Sequence, residues 1–143
     1  MKQHTAIAAV ALAMLLAACD PVSGPPISAE NIDIVAPIPG TTTAVAYLDI
    51  RNTSGSTVTI TQVTSPQFGS ISIHETTIAD GVATMRPVKS LMIADGDTLR
   101  LQPGGLHLML MRPVAQPGPV TLRFHSGESL LLSVDAEMRP ASD

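Results

Sequence analysis

The sequence predicts an all-β domain of the antiparallel sandwich or barrel type. From about residue 30 onward, short runs of β-branched and aliphatic residues alternate with turn residues, a spacing that is typical of such folds. No window of the sequence has a helical period of useful length. The chain also contains 12 prolines, many of them between the apolar runs, and proline disfavours helices.

The runs that we predict as strands lie, in chain order, at 32–36, 44–51, 57–63, 70–77, 82–86, 98–101, 106–112, 120–124 and 129–134. Several of them alternate apolar and polar residues, which gives a strand one buried and one exposed face. Between 70–77 and 82–86, the dipeptide Asp80-Gly81 is a strong signal for a two-residue hairpin turn.

The Asp80-Gly81 turn determines which residues face each other in its hairpin. If these two residues form the loop, Thr76 pairs with Met85 and His74 pairs with Pro87. His74 and Met85 then lie diagonally across one face, with their backbones about 7 Å apart. Both side chains can therefore reach one point between the strands.

The segment 106–111 alternates strictly between leucine and either His or Met. Its leucines share the face that we predict to enter the core. His107 and Met109 lie on the opposite face, where residues at i and i+2 can bind one ion. Met111 follows on that face and is predicted to pack against its neighbours.

Two His and two Met on two strand pairs form a soft nitrogen and sulfur donor set. Such a set suits Cu(I) and poorly suits Mg²⁺, Ca²⁺ or Mn²⁺. Each residue alone would be weak evidence, because a Met on a strand usually fills core and a His usually forms a hydrogen bond or is partly exposed. Outside the set, His125 is predicted as a solvated turn residue and Met92 as a packing residue.

Composition excludes several classes of function. The net charge is −4 and only 14% of the residues are charged, so no basic surface is available for nucleic acid. Aromatic residues make up 2% of the chain, which disfavours a sugar-binding platform. No serine lies in a Gly-x-Ser-x-Gly setting or beside a plausible base, so we do not predict a hydrolase. The two His and two Met would close the coordination sphere of the metal and leave no position for a substrate, so we do not predict an enzyme.

The two ends are predicted to lie outside the folded domain. Residues 1–18 have a basic start, a short apolar stretch and small residues at the end, as a secretory signal peptide does. The motif Leu16-Ala17-Ala18-Cys19 resembles the bacterial lipobox, which predicts a lipid on Cys19 and a membrane anchor on the periplasmic or extracytoplasmic side. Residues 19–29 are predicted as a flexible tether, 30–136 as the copper-binding domain and 137–143 as a frayed tail.

The spacing of the four candidate ligands carries a family resemblance. His74, Met85, His107 and Met109 are similar to the H-x10-M-x21-H-x-M signature of the periplasmic copper chaperone family called PCuAC. The resemblance covers about residues 30–136 and implies a cupredoxin-like antiparallel Greek-key β-sandwich that holds one Cu(I). It also implies delivery of copper to the dinuclear site of cytochrome c oxidase subunit II, with a thioredoxin-fold assembly factor as partner. The tail has Met138 and no His, so we expect no second copper site there.

Three alternatives remain beside the chaperone. The protein could store or scavenge copper, or it could be a lipoprotein that makes protein contacts and binds no metal. A copper redox protein is disfavoured, because a blue-copper site needs a Cys thiolate and the single cysteine, Cys19, lies at the lipidation point.

Overall fold

A computed structural model describes residues 25–114 and 118–141 of the chain. Within these residues the chain is all-β, which confirms the predicted fold class. The described residues include no helix that is long and apolar enough to cross a membrane. The predicted signal peptide and Cys19 lie outside the described residues.

The strands follow one another along the chain with short connections. They are β1 (Ile27–Val35), β2 (Ala44–Asn52), β3 (Val58–Ile60), β4 (Gln62–Thr64), β5 (Phe68–Ala79), β6 (Val82–Val88), β7 (Leu91–Ile93), β8 (Thr98–Leu101), β9 (Leu106–Pro113), β10 (Val120–Ser126), β11 (Ser129–Ala136) and β12 (Met138–Arg139). A large sheet has the order β12-β1-β2-β9-β5-β6, with β8 also paired to β2. A second sheet has the order β11-β10-β4, and β3 pairs with β7.

The core lies against one face of the large sheet. In β2 the even-numbered residues from Ala44 to Ile50 are buried, whereas Val45, Tyr47 and Asp49 on the other face are half-buried. The leucines of β9 join the same core, together with Phe124 of β10 from the second sheet. This period-two burial follows from the alternating side chains of a strand, and it leaves His107 and Met109 on the face away from the core.

β8 and β9 lie one after the other along β2. Leu101 of β8 pairs with Leu48, and Leu108 of β9 pairs with Ala46. The chain between Leu101 and Leu108 therefore faces a single residue of β2, Tyr47, so the turn before β9 has to bulge away from β2. His107 follows this turn and stays in the sheet through its pairing with His74 of β5.

The ends of the domain differ from the predicted boundaries. β1 begins at Ile27, inside the predicted tether, and pairs there with Asn52. β12 lies inside the predicted tail, where Met138 and Arg139 pair in parallel with the end of β1. Arg139 also forms an ion pair with Asp33, with 2.6 Å between Arg139 Nε and Asp33 Oδ1. Main-chain pairing therefore orders the chain as far as Arg139.

Two side chains outside the predicted metal site contradict the sequence interpretation. His125 is not a solvated turn residue: it lies half-buried in β10, and its Nε2 is 3.0 Å from Thr64 Oγ1. Met92 does not pack in the core: it is 73% exposed. Its neighbours on β7, Leu91 and Ile93, are buried, so alternation along this short strand directs Met92 outward.

Candidate metal site

The β5–β6 hairpin has the predicted register. Asp80 and Gly81 both have positive φ, 51° and 75°, as a type I′ turn requires. Thr76 pairs with Met85, and His74 pairs with Pro87. His74 and Met85 therefore lie on one face of the hairpin, diagonally across from each other.

β9 places the second pair of candidate ligands on that same face. His107 lies directly opposite His74, and Met109 lies opposite Ser72. The two imidazole rings have their centroids 6.0 Å apart and are tilted by 31°. Met85 and Met109 lie on opposite sides of this histidine pair, so their long side chains have to extend toward it to share one ion.

Burial differs strongly among the four residues. His107 is 5% exposed, and Tyr47 of β2 lies beside it with the ring centroids 6.4 Å apart. His74 and Met109 are half-buried. Met85 lies on the edge strand β6 and is 52% exposed. The site thus has a covered side on β9 and an open side on the hairpin.

A hydrogen bond fixes the orientation of the His107 ring. Its Nδ1 lies 3.0 Å from the carbonyl oxygen of Gly105. Because a carbonyl can only accept, Nδ1 is the donor, and the Nε2 of a neutral ring then carries the lone pair. His74 Nδ1 is 3.4 Å from the hydroxyl of Ser72, a long contact to a group that can donate or accept.

The electrostatics of the site favour the neutral form of His74. Burial lowers the pKa of His74 below its usual 6.5, and the facing His107 lowers it further, since a proton on one ring repels a proton on the other. A neutral imidazole is the form that binds a metal ion. The lowered pKa of His74 therefore favours the form of this side chain that can bind a metal ion.

The donor types around the histidine pair match a soft metal ion. No group of three or more His, Cys, Asp or Glu side chains gathers anywhere in residues 25–114 and 118–141. The sulfur donors that share the face with the imidazoles are the thioethers of Met85 and Met109, and thioethers select Cu(I). Met111 is half-buried opposite Ser70, one step further along β9.

An apolar concavity of about 360 Å³ adjoins the site. Met109 and Tyr47 form part of its wall, together with Val45 and with Ile38 of the β1–β2 connection. Sequence reasoning missed both Tyr47 and the Gly105 carbonyl. The signal for the carbonyl was present in Gln102-Pro103-Gly104-Gly105, a turn sequence directly before β9.

Comparison with sequence families identifies the group to which this chain belongs. Residues 27–136 match the family described as "Putative lipoprotein LpqE-like", and the chain belongs to this family. A protein of Leifsonia xyli subsp. xyli described as "Putative lipoprotein Lxx21020" is 38% identical over an alignment of 101 residues, and the match covers 66% of this chain. The match spans 61% of that relative's length.

Comparison with solved structures identifies the fold. The apo PCuAC domain of PmoF2 has a TM-score of 0.63 at 19% identity, covering 80% of this chain and 90% of that domain. The solution structure of CuI-DR1885 from Deinococcus radiodurans has a TM-score of 0.56 at 29% identity, and the match covers 79% of this chain and 76% of that protein. The cupredoxin-like β fold that the resemblance implied is thereby confirmed.

Proposed function

We propose that this protein is a copper chaperone of the cell envelope that binds one Cu(I) through His74, Met85, His107 and Met109. The observation that carries the proposal is the direct cross-strand pairing of His74 with His107, whose rings lie 6.0 Å apart between two methionines of the same sheet face. Two imidazoles and two thioethers make a neutral, soft donor set that favours Cu(I) over harder divalent ions.

The likeness to a copper-bearing protein supports this assignment. CuI-DR1885 is named for Cu(I), has the same fold and is 29% identical to this chain. The four candidate ligands also keep the spacing of the PCuAC signature. Sequence, fold and local geometry therefore favour the same metal.

A carrier fits the site better than a catalyst. Four protein ligands would fill the coordination sphere of Cu(I) and leave no position for a substrate. The open side, with Met85 52% exposed on an edge strand, lets an incoming ligand from another protein replace a thioether. Ligand exchange of this kind moves copper between proteins without redox turnover.

The place of action follows from the lipoprotein family. Membership in this family supports a lipid on Cys19, which would anchor the domain to a membrane of the envelope. The resemblance to PCuAC proteins favours the dinuclear copper site of cytochrome c oxidase as acceptor and a thioredoxin-fold assembly factor as partner. Intact mass of the native protein and membrane association of Cys19→Ala test the anchor.

A competition titration under anaerobic, reducing conditions tests the metal assignment. The purified protein is titrated with Cu(I) against a Cu(I)-specific chelator, and separately with Zn(II). We expect one Cu(I) per chain and tighter binding of Cu(I) than of Zn(II). Absence of Cu(I) binding, or a preference for Zn(II), would contradict the proposal and would favour a lipoprotein that acts through protein contacts alone.

A further inference from the structure

The turn between β8 and β9 has a conformation that requires glycine at one position. The Gly105 N–H donates to the Gln102 carbonyl over 3.0 Å, which closes a four-residue turn. Gly104, its third residue, has a φ of 79°, and Pro103 precedes it. Proline at the second position and a positive φ at the third are the marks of a type II turn. A Cβ at Gly104 would meet nothing within 4 Å, so the requirement for glycine is conformational and not steric.

The carbonyl of Gly105, presented by this turn, accepts two hydrogen bonds at the candidate metal site. One comes from the backbone N–H of Thr76 on β5, over 3.0 Å. The other comes from Nδ1 of His107 on β9, also over 3.0 Å. Thr76 follows His74 by two residues on the same strand. A single carbonyl therefore connects the two strands that carry the imidazoles.

We propose that the Gln102–Gly105 turn is a positioning element that selects the nitrogen with which His107 binds metal. With Nδ1–H bonded to the carbonyl, Nε2 carries the lone pair and is the nitrogen left to bind the ion. His107 is buried, so water cannot easily replace the carbonyl as acceptor. His74 has no comparable constraint, because the hydroxyl of Ser72 can accept or donate and favours neither tautomer. The role in copper binding rests on the function proposed above, whereas control of the tautomer does not.

The test compares two glycine substitutions of equal geometry. Gly104→Ala forces a Cβ onto a φ of 79° in the turn beside the site. The control is Gly96→Ala, at a φ of 82° and again with nothing within 4 Å of a Cβ. Gly96 is also the third residue of a turn, closed by the Asp97 N–H and the Ala94 carbonyl over 3.1 Å. Both substitutions strain a turn, but only the first lies in the turn that presents the Gly105 carbonyl.

Two measurements on the purified proteins determine the effect of each substitution on the His107 tautomer and on Cu(I) affinity. Long-range ¹H–¹⁵N spectra of the metal-free protein, at a pH where the imidazoles are neutral, report the tautomer of His107. The Cu(I) competition titration reports affinity. We expect the Nδ1–H tautomer in the wild type and in Gly96→Ala, and mixed tautomers in Gly104→Ala with Cu(I) binding weakened about 10- to 100-fold, as is typical for loss of a ligand's hydrogen-bond partner.

Two results would overturn the inference. One is an Nε2–H tautomer of His107 in the wild type. This measurement uses the wild-type protein alone, so it tests the inference even if Gly104→Ala does not fold. The other is an equal effect of the two substitutions on both tautomer and affinity. A wild-type protein with the Nδ1–H tautomer that binds no Cu(I) would instead contradict the proposed function and leave the control of the tautomer by the turn intact.

Discussion

The two halves of the candidate site are built differently. On β9, His107 is buried, hydrogen-bonded through Nδ1 and flanked by the ring of Tyr47. On the β5–β6 hairpin, His74 is half-buried without a fixed tautomer, and Met85 is half-exposed on an edge strand. The β9 half is thus preorganised and the hairpin half is open. A carrier needs both properties, because it has to hold copper in transit and still release it to an acceptor.

The largest effect is expected from the buried histidine. His107→Ala removes a proposed ligand, leaves a cavity and leaves the Gly105 carbonyl without one of its donors, so it should weaken Cu(I) binding by more than about 100-fold. It should also lower the free energy of unfolding of the metal-free protein by about 1–3 kcal/mol. Competition titration and chemical denaturation measure the two effects.

His74→Ala is the matched substitution in the open half. It should weaken Cu(I) binding strongly as well, but it should change the unfolding free energy by less than about 1 kcal/mol, because a half-exposed side chain with one long contact contributes little. If both alanine variants lost the same stability, the two halves would not differ as the structure indicates.

The methionines should separate metal binding from stability. Met85→Leu and Met109→Leu keep side-chain volume and remove the sulfur, so each should weaken Cu(I) binding at least about tenfold while the unfolding free energy changes by less than about 1.5 kcal/mol. Met92→Leu is the control, since Met92 is 73% exposed on β7, a strand paired with β3 and outside the large sheet. Loss of copper affinity in the control, or retention in both site variants, would argue against thioether ligation.

Protonation of His74, in the open half of the site, should need a lower pH than protonation of a free imidazole. The pKa of metal-free His74 lies below 6.5 because of burial and the facing His107, so protons begin to compete with Cu(I) there only below that value. The unfolded chain takes up this proton first, and the stability of the metal-free protein should therefore fall as the pH drops below 6.5. NMR titration of His74 checks the direction, and a pKa at or above 6.5 would contradict it.

The smallest effect is expected at the sheet edge opposite the hairpin. Arg139 lowers the pKa of Asp33 through their hydrogen-bonded ion pair, so the pair stabilises the fold above pH 3.8 and loses this contribution as the pH falls through the lowered pKa. Both side chains are over 40% exposed. Asp33→Asn should therefore lower the unfolding free energy at neutral pH by less than about 1 kcal/mol. Cu(I) binding should be unaffected, and a change in it would show that β1 and β12 are coupled to the site.

The sequence was sufficient for the features that depend on local rules. The Asp80-Gly81 turn determines the hairpin register, and period-two alternation separates the leucines of β9 from His107 and Met109. The sequence did not predict the short strands β7 and β12, because a strand of two or three residues is too short to show an alternation pattern. The sequence also did not predict the order of the strands in the sheet. No local pattern indicates that β9 lies between β2 and β5 and so brings His107 opposite His74.

Burial and hydrogen-bond partners depend on that tertiary arrangement. Tyr47 and the Gly105 carbonyl contact His107 only because β8 and β9 line up along β2 with a bulge between them. The same holds for Asn52, which is fully buried and whose amide donates to the carbonyls of Ser56 and Ile93. The sequence alone does not indicate that this asparagine is buried or that it donates to two backbone carbonyls.

X-ray absorption at the copper edge tests the central claim most directly, because it identifies the atoms bound to the metal. The Cu(I)-loaded wild type should show two sulfur and two imidazole nitrogen neighbours, and Met85→Leu should lose one sulfur while both imidazoles remain. A copper environment of nitrogen and oxygen alone, or a spectrum unchanged by loss of both Met85 and Met109, would show that these methionines do not bind the ion.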